Sequence, residues 1–315
     1  MKAAQIGRYG EPSVLRINEV DRPAPSEGEV LVQVEASSVN GHDVIVRSGG
    51  LKIISGRKFP LGTGLDFAGV VAATGPGQAG YRSGDRVWGT VHPRQRHAAG
   101  AAAEYVAVPA ANVYRLPAGF DGQTAAMIEP LACAVHGLRR LGPVFGDSVL
   151  LTGAGTMGLL LLQLLVHAGA GAVTVVDRVS DRLEVASKLG AARVVSDIGE
   201  LADERFEITV DATGVPAVIQ AGSDLLDRGG RLLVFGVSPA EAAISLSPFR
   251  VYNDEITVTG SMAILRSFAP AVELLTSGVV DPRPLLSTPL PLEEFGEALR
   301  RVRAGQGIKW HIRPS

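Results

Sequence analysis

The chain has 315 residues, of which 46% are hydrophobic, and its formal net charge at pH 7 is -2. This length predicts two domains, and the nearly balanced charge, without a basic stripe, argues against a nucleic-acid partner. The longest aliphatic run, residues 159–166, is interrupted by Gln163 and is too short to cross a bilayer. The first residues lack the apolar core of a signal peptide. We therefore expect a soluble, cytoplasmic protein without a membrane partner.

Residues 1 to about 119 form short apolar runs separated by Pro and Gly. Runs in which polar and apolar residues alternate are typical of half-buried β-strands. The clearest of them cover residues 30–35, 67–71 and 85–88. We therefore expect a β-rich, barrel-like domain in this part of the chain.

The pattern changes after this domain, because residues 123–141 have helical spacing and strands and helices alternate from Ser148 onward. The predicted strands are 149–151, 173–176, 193–195, 208–211, 231–235 and 256–259, with helices that include 181–189 and 217–226. Parallel strands joined by right-handed crossover helices predict a doubly wound α/β sheet whose ligand lies at the carboxyl ends of the strands.

The last part of the chain has helical patterns at 267–276 and 293–303 and a closing apolar strand at 308–312. No third domain is needed, so we expect this tail to return to the first domain. The predicted organisation is a first domain at 1–122, a nucleotide-binding domain at 123–262, and the returning segment at 263–315.

A glycine-rich turn, GAGTMG at 153–158, follows the first strand of the α/β part and opens a helix. Its glycines permit a tight turn, a close approach of backbone to a pyrophosphate, and close packing of helix on strand, while the helix N-terminus attracts phosphate. Asp177 ends the next strand, where a carboxylate accepts hydrogen bonds from ribose hydroxyls and repels a 2′-phosphate. This pattern predicts NAD(H), with NADP(H) less favoured, although Arg178 could partly accommodate that phosphate. The predicted cofactor-binding residues are Gly153, Gly155, Thr156, Met157, Gly158, Asp177, Arg178, Arg182, Thr213, Gly236 and Val237.

The order of these parts resembles the medium-chain dehydrogenase/reductase family. The resemblance rests on GEVLV at 28–32, DFAGVV at 66–71, GDRV at 84–87, GAGTMG at 153–158 and LLTSG at 274–278. It implies a GroES-like β-barrel catalytic domain interrupted by a Rossmann domain and completed by the tail. It also implies that Lys309 contacts the cofactor pyrophosphate. We further expect a homodimer or a homotetramer.

Two branches of the family are represented. Residues 129–133, EPLAC, and residues 251–261 look like the sorbitol and threonine dehydrogenase branch, whereas SSVN at 37–40 and VRSG at 46–49 look like the quinone reductase branch. The two halves therefore point to different chemistries.

The residues that hold catalytic zinc in zinc-dependent members are altered in this chain. By the resemblance, the cysteine, the His-Glu pair and the later glutamate correspond to Asn40, to Leu65 and Asp66, and to Glu129. Zinc needs three firm N, S or O ligands. The only cysteine, Cys133, also excludes a four-cysteine structural site. We therefore expect no zinc, although an improvised site of His42, Asp66 and Glu129 stays an alternative.

A zinc-free dehydrogenase needs another group to move the proton and to stabilise charge on oxygen. Asn40 offers an amide donor and His42 titrates near neutrality, while Glu129 and Asp66 could share a proton. The alternatives are that His42 faces solvent and that Asp43 and Glu129 only stabilise helix ends.

These features predict a zinc-independent, NAD(H)-dependent oxidoreductase that interconverts an alcohol, a polyol or a sugar-like alcohol and its ketone or aldehyde. The polar remnants at the metal positions suit a hydroxylated small molecule better than an apolar enone. Two alternatives stay open, a quinone or enoyl reductase and a cofactor-binding protein without turnover.

Overall fold

The computed structural model describes residues 1–49, 59–78, 80–91 and 99–314, except for the side chain of His42. The chain divides into two compact units. Unit 1 comprises Met1–Ile128 together with the chain from Leu286 onward, and unit 2 comprises Glu129–Leu285. None of the helices in the described ranges has the length and hydropathy that a membrane span needs.

Most of the α-helices within the described ranges lie close to predicted positions, but those at 41–48 and 248–253 were not predicted. The α-helices of these ranges are α1 Gly41–Ser48, α2 Gly122–Ala125, α3 Ile128–Leu141, α4 Thr156–His167, α5 Ser180–Lys188, α6 Pro216–Asp224, α7 Pro248–Asn253, α8 Phe268–Thr276 and α9 Phe295–Arg303. The single helix predicted over 123–141 is wrong, because α2 and α3 are separate. Pro130 explains the break, since proline fits the first turn of α3 but would remove a hydrogen bond from the interior of one continuous helix.

The strands are β1 Lys2–Ile6, β2 Leu15–Glu19, β3 Glu29–Ser38, β4 Leu61–Gly62, β5 Asp66–Thr74, β6 Arg86–Thr90, β7 Tyr105–Pro109, β8 Val113–Arg115, β9 Ser148–Thr152, β10 Ala172–Val176, β11 Arg193–Val195, β12 Phe206–Asp211, β13 Leu226–Val234, β14 Thr257–Gly260, β15 Leu290–Pro291 and β16 His311–Arg313. The closing strand predicted over 308–312 is shorter than expected. Lys309 lies just before it, and its backbone forms an isolated β-bridge with Leu286.

Unit 1 is built around the long strand β3. This strand pairs with β5 along most of its length, with β7 at its beginning, and with β16 at its end. Alternate residues of β3, Val30, Val32 and Val34, are buried against Phe67 and Val87. A second sheet has the order β2-β1-β4. The predicted β-rich domain is therefore present, and its last strand comes from the tail.

Unit 2 contains a parallel sheet in the order β11-β10-β9-β12-β13-β14. The order reverses direction between β9 and β12, and this is the switch point where doubly wound sheets bind nucleotides. The prediction of a doubly wound sheet is thus confirmed.

The boundary predicted after residue 262 differs from the observed one, because residues 263–285 lie in unit 2. The buried side chain of Gln163 in α4 helps to hold this segment. Its oxygen accepts a hydrogen bond from the backbone N–H of Asp281 at 2.7 Å, and its amide donates to the Asp281 carbonyl at 3.2 Å. The first boundary is also displaced, since residues 123–128 lie in unit 1.

Candidate active site

The glycine-rich turn in unit 2 has the backbone geometry that its sequence predicts. Gly153 has a φ of +98°, and a Cβ on Gly158 would lie 1.7 Å from the Gly153 carbonyl oxygen. A Cβ on Gly155 would meet nothing within 4 Å. Helix α4 begins at Thr156, and the backbone N–H groups in the first turn of an α-helix have no acceptor within the helix itself. The turn therefore offers room and donors for a phosphate group.

Asp177 fixes the end of β10 to this turn. Its Oδ2 accepts a hydrogen bond from the backbone N–H of Ala154 at 2.7 Å, and its Oδ1 accepts one from Val179 at 2.9 Å. Arg178 is exposed, and Arg182 is half-buried on α5. The carboxylate expected to receive the ribose is therefore held beside the glycine-rich turn.

Asp211, at the end of β12, has a buried carboxylate and was not predicted as a functional residue. Its Oδ1 accepts from the N–H of Thr213 at 2.9 Å and from its hydroxyl at 2.6 Å, and its Oδ2 accepts from the N–H of Gly214 at 3.0 Å. Its carbonyl oxygen accepts from Gly236 at 2.9 Å. Asp211 thus brings together two predicted cofactor residues, Thr213 and Gly236. The sequence feature that could have revealed Asp211 is an acidic residue at the end of a buried strand, followed closely by Thr213 and Gly214.

Val237 is the last predicted cofactor residue of unit 2. It directly follows Gly236 and is 81% exposed. A Cβ on Gly236 would lie 2.1 Å from the backbone nitrogen of Gly214. The absence of a side chain therefore lets the turns after β12 and β13 approach closely.

Unit 1 holds a cluster of polar side chains at the end of β3. Ser38 donates a short hydrogen bond to Oδ1 of Asp66, which begins β5. The amide of Asn40 donates to the Ser38 hydroxyl at 2.9 Å and to the same Asp66 oxygen at 3.3 Å. Ser38 and Asp66 are fully buried, whereas Asn40 is half-buried. The structure therefore brings together two of the predicted catalytic residues, Asn40 and Asp66.

Lys309 joins this cluster, and its observed contact is not the one expected from the sequence. Its ammonium donates to the side-chain oxygen of Asn40 and, at 3.4 Å, to the carbonyl of Val39. The residue is 3% exposed. Its ammonium group is therefore hydrogen-bonded to residues of unit 1. The predicted contact with a pyrophosphate stays a prediction.

His311 is a buried titratable residue that sequence reasoning missed. It lies opposite Ser38 in the pairing of β16 with β3, so the two side chains share a face of the sheet. Burial, and after it the charge of Lys309, lowers the pKa of His311 to about 3. The ring is therefore neutral at pH 7 and is not a proton acceptor under ordinary conditions.

The two remaining predicted catalytic residues are His42 and Glu129. His42 is in the first turn of α1, and its side chain lies outside the described part of the structure. The backbone N–H of Asn40 donates to the carboxylate of Asp43 at 2.9 Å, which supports the alternative that Asp43 stabilises the start of α1. Glu129 lies in unit 2, where its carboxylate accepts a hydrogen bond from the thiol of Cys133 at 3.6 Å. A proton shared between Glu129 and Asp66 stays a prediction.

Comparisons with known proteins identify the family. Residues 26–118 match the model of the alcohol dehydrogenase GroES-like domain, and residues 156–277 match that of a zinc-binding dehydrogenase. D-arabinitol dehydrogenase 1 of Uromyces fabae is 31% identical over an alignment of 340 positions, which covers 98% of this chain and 96% of that protein. The chain belongs to the medium-chain dehydrogenase/reductase family.

Other members of the medium-chain family agree with this result. L-threonine 3-dehydrogenase of Bacillus velezensis is 30% identical over an alignment of 322 positions, which covers 92% of each chain. A putative zinc-binding dehydrogenase from Sinorhizobium meliloti 1021, solved bound to NADP, covers 99% of both chains with a TM-score of 0.88 and 24% identity. This last likeness shows the fold alone. The predicted fold class, a Rossmann sheet with a GroES-like domain, is thus confirmed, and the chain is an oxidoreductase.

Proposed function

We propose that this oxidoreductase uses NAD(H) to interconvert a hydroxylated small molecule, such as an alcohol, a polyol or a sugar-like alcohol, and its ketone or aldehyde without zinc. The observation that carries the proposal is the half-buried amide of Asn40, which hydrogen bonds to the buried side chains of Ser38 and Asp66 hold in place. An amide forms hydrogen bonds with hydroxyl groups, whereas an enone or quinone would favour an apolar lining. Relatives named for D-arabinitol and L-threonine, both hydroxylated molecules, support the same substrate class.

The chain's own residues divide the chemistry between them. The turn at Gly153, Gly155 and Gly158 binds the pyrophosphate, and Asp177 receives the adenosine ribose. When bound, the nicotinamide ring takes up or gives the hydride. In alcohol oxidation, His42 receives the hydroxyl proton, and Asn40 donates a hydrogen bond to the substrate oxygen.

Zinc independence is proposed from the chemistry of the donors at the metal positions. The Asn40 oxygen already accepts a hydrogen bond from an ammonium group, and Leu65 has no donor atom. Oδ1 of Asp66 is bonded to Ser38 and Asn40. Among the described residues, no three His, Cys, Asp or Glu side chains form a group suited to a metal. A neutral amide and a buried carboxylate whose Oδ1 is already hydrogen-bonded fit Zn²⁺ poorly.

The proposal is tested with purified protein, NAD⁺ and a panel of D-arabinitol, sorbitol, L-threonine and 2,3-butanediol. We expect turnover of at least one panel member, less than a tenth of a zinc ion per chain by elemental analysis, and unchanged activity after prolonged EDTA treatment. One tightly held zinc per chain, whose removal abolishes activity, would show that the site is metal-dependent. Activity only with quinones or enones would favour a reductase instead, and tight NADH binding without any turnover would favour a binding protein.

Cofactor preference is predicted from Asp177. We expect NADH to bind about tenfold or more tightly than NADPH, because the carboxylate repels the 2′-phosphate at a cost on the order of 1 kcal/mol or more. Asp177→Asn should reduce this difference, whereas Asp181→Asn, on the exposed first turn of α5, is the matched control and should not. Fluorescence titration measures both affinities. Equal or tighter NADPH binding by the wild type would mean that Arg178 dominates over Asp177.

The assembly state also stays a proposal. We expect a homodimer or a homotetramer, and light scattering of the purified protein distinguishes these from a monomer.

A further inference from the structure

The buried ammonium of Lys309 has a specific partner. Its hydrogen bond to Oδ1 of Asn40 joins two residues that are 269 positions apart in the chain. Removing an ammonium from water is unfavourable unless hydrogen bonds and an opposite charge compensate. The carbonyl of Val39 supplies a second acceptor at 3.4 Å. This lysine therefore belongs to the structure of the polar cluster and is not an ordinary surface lysine.

Asn40 connects this cation with a carboxylate. Its Oδ1 receives the hydrogen bond from Lys309, while its Nδ2 donates to the hydroxyl of Ser38 and to Asp66. An amide whose oxygen accepts a bond from an ammonium is polarised, so its N–H groups become stronger donors. The Lys309 contact therefore both orients the amide and strengthens it as a donor.

The exposure of the members shows which of them a ligand can reach. Ser38 and Asp66 are fully buried and Lys309 is 3% exposed, but Asn40 is only half-buried. The bond from Nδ2 of Asn40 to Asp66 is long, at 3.3 Å, and is weaker than the 2.9 Å bond to Ser38. An oxygen atom of a ligand that approaches Asn40 would compete for this weaker bond.

We propose that Lys309 is a positioning residue whose hydrogen bond to Oδ1 of Asn40 directs and polarises the amide, so that Nδ2 donates to the substrate oxygen. Negative charge on that oxygen grows as the C–H bond breaks, and a preorganised donor stabilises it. Lys309 keeps its protons and forms no bond to the substrate. The inference rests on the proposed function, because it assigns a role within alcohol oxidation.

The test is a double-mutant cycle of Lys309→Met, Asn40→Leu and the double variant. For each protein we measure kcat and KM with the best substrate of the alcohol panel, the Kd for NADH, and the melting temperature. Lys309→Met should lower kcat about tenfold or more, because it removes a charge-assisted hydrogen bond, and should change the NADH Kd less than twofold. In the Asn40→Leu background, the same substitution should cause little further loss. Lys188→Met, on the exposed end of α5, is the control for removing a lysine charge.

The outcomes separate the possible uses of this lysine. If Lys309→Met weakens NADH binding at least tenfold and its effect is the same with or without Asn40, it contacts the cofactor and the proposal is wrong. If kcat and the melting temperature fall together while KM and the Kd for NADH rise, the residue is only structural. Lys309→Arg, which keeps the charge, should then fail to restore kcat. Should the Met variant not fold, Lys309→Gln takes its place in the cycle. If the wild type oxidises no alcohol but binds NADH, the proposed function itself fails and this inference falls with it.

Discussion

Replacing Gly158 by alanine is expected to abolish NADH binding and to destabilise unit 2. The new Cβ would lie 1.7 Å from the carbonyl oxygen of Gly153, and neither atom belongs to a flexible side chain. The start of α4 must therefore move away from β9, which removes the donors for the pyrophosphate. Overpacking of this kind costs about 3 kcal/mol. Calorimetry and fluorescence titration measure the two effects.

Two other glycines of unit 2 provide controls for this substitution. Gly222→Ala, within α6, has only the Cβ of Thr209 within 4 Å, at 3.9 Å, and should be neutral or slightly stabilising. Gly155→Ala meets open space in the protein, so it should fold normally and weaken only NADH binding. Normal stability and normal NADH affinity in Gly158→Ala would contradict the geometry described for this turn.

Removing the imidazole of His42 is expected to lower kcat for alcohol oxidation about a hundredfold, the usual contribution of a general acid or base. NADH affinity should hardly change, because the predicted cofactor residues on the glycine-rich turn are untouched. The wild-type pH profile should show a group that titrates near neutrality, and this limb should vanish in His42→Ala. His167→Ala, at the end of α4, is a matched control that should leave kcat unchanged.

Substitutions of two carboxylates test the alternative route for the proton. Glu129→Gln and Asp66→Asn preserve the shapes of the side chains and remove their charges. If either variant is inactive while His42→Ala turns over normally, the proton passes through a carboxylate and the assignment of His42 is wrong. If all three variants keep full activity with the substrate that the wild type uses, the reaction needs little acid catalysis, and an enone or quinone reductase becomes the better explanation.

The nucleotide-binding part could be predicted from the sequence because its signals are local. The strand, the glycine-rich turn, the helix and Asp177 lie within a short stretch, and each residue type has a geometric reason for its position. In the loop after β12, only Thr213 was predicted to bind the cofactor. Asp211 was overlooked because an acid at a strand end does not reveal how many backbone donors surround it.

The polar cluster of unit 1 could be predicted only in part. Asn40 and Asp66 were predicted because the resemblance to the family implies that they correspond to its metal ligands. The partner of Asn40 was not found, since Lys309 reaches it only after β16 pairs with β3, and the local pattern around Lys309 resembles any short strand. His311 was missed for the same reason.

The insertion of unit 2 into unit 1 has a consequence during synthesis on the ribosome. Lys309 and its acceptor Val39 are 270 residues apart, so at ordinary translation rates roughly 15 to 50 s pass between them. Unit 2 is a continuous segment and can fold within this interval. Until β16 has been synthesised, the backbone groups of Ser37 and Ser38 in β3 lack the partners that β16 provides. Exposed strand edges promote association between chains, so we expect the nascent protein to be prone to aggregation before β16 pairs with β3.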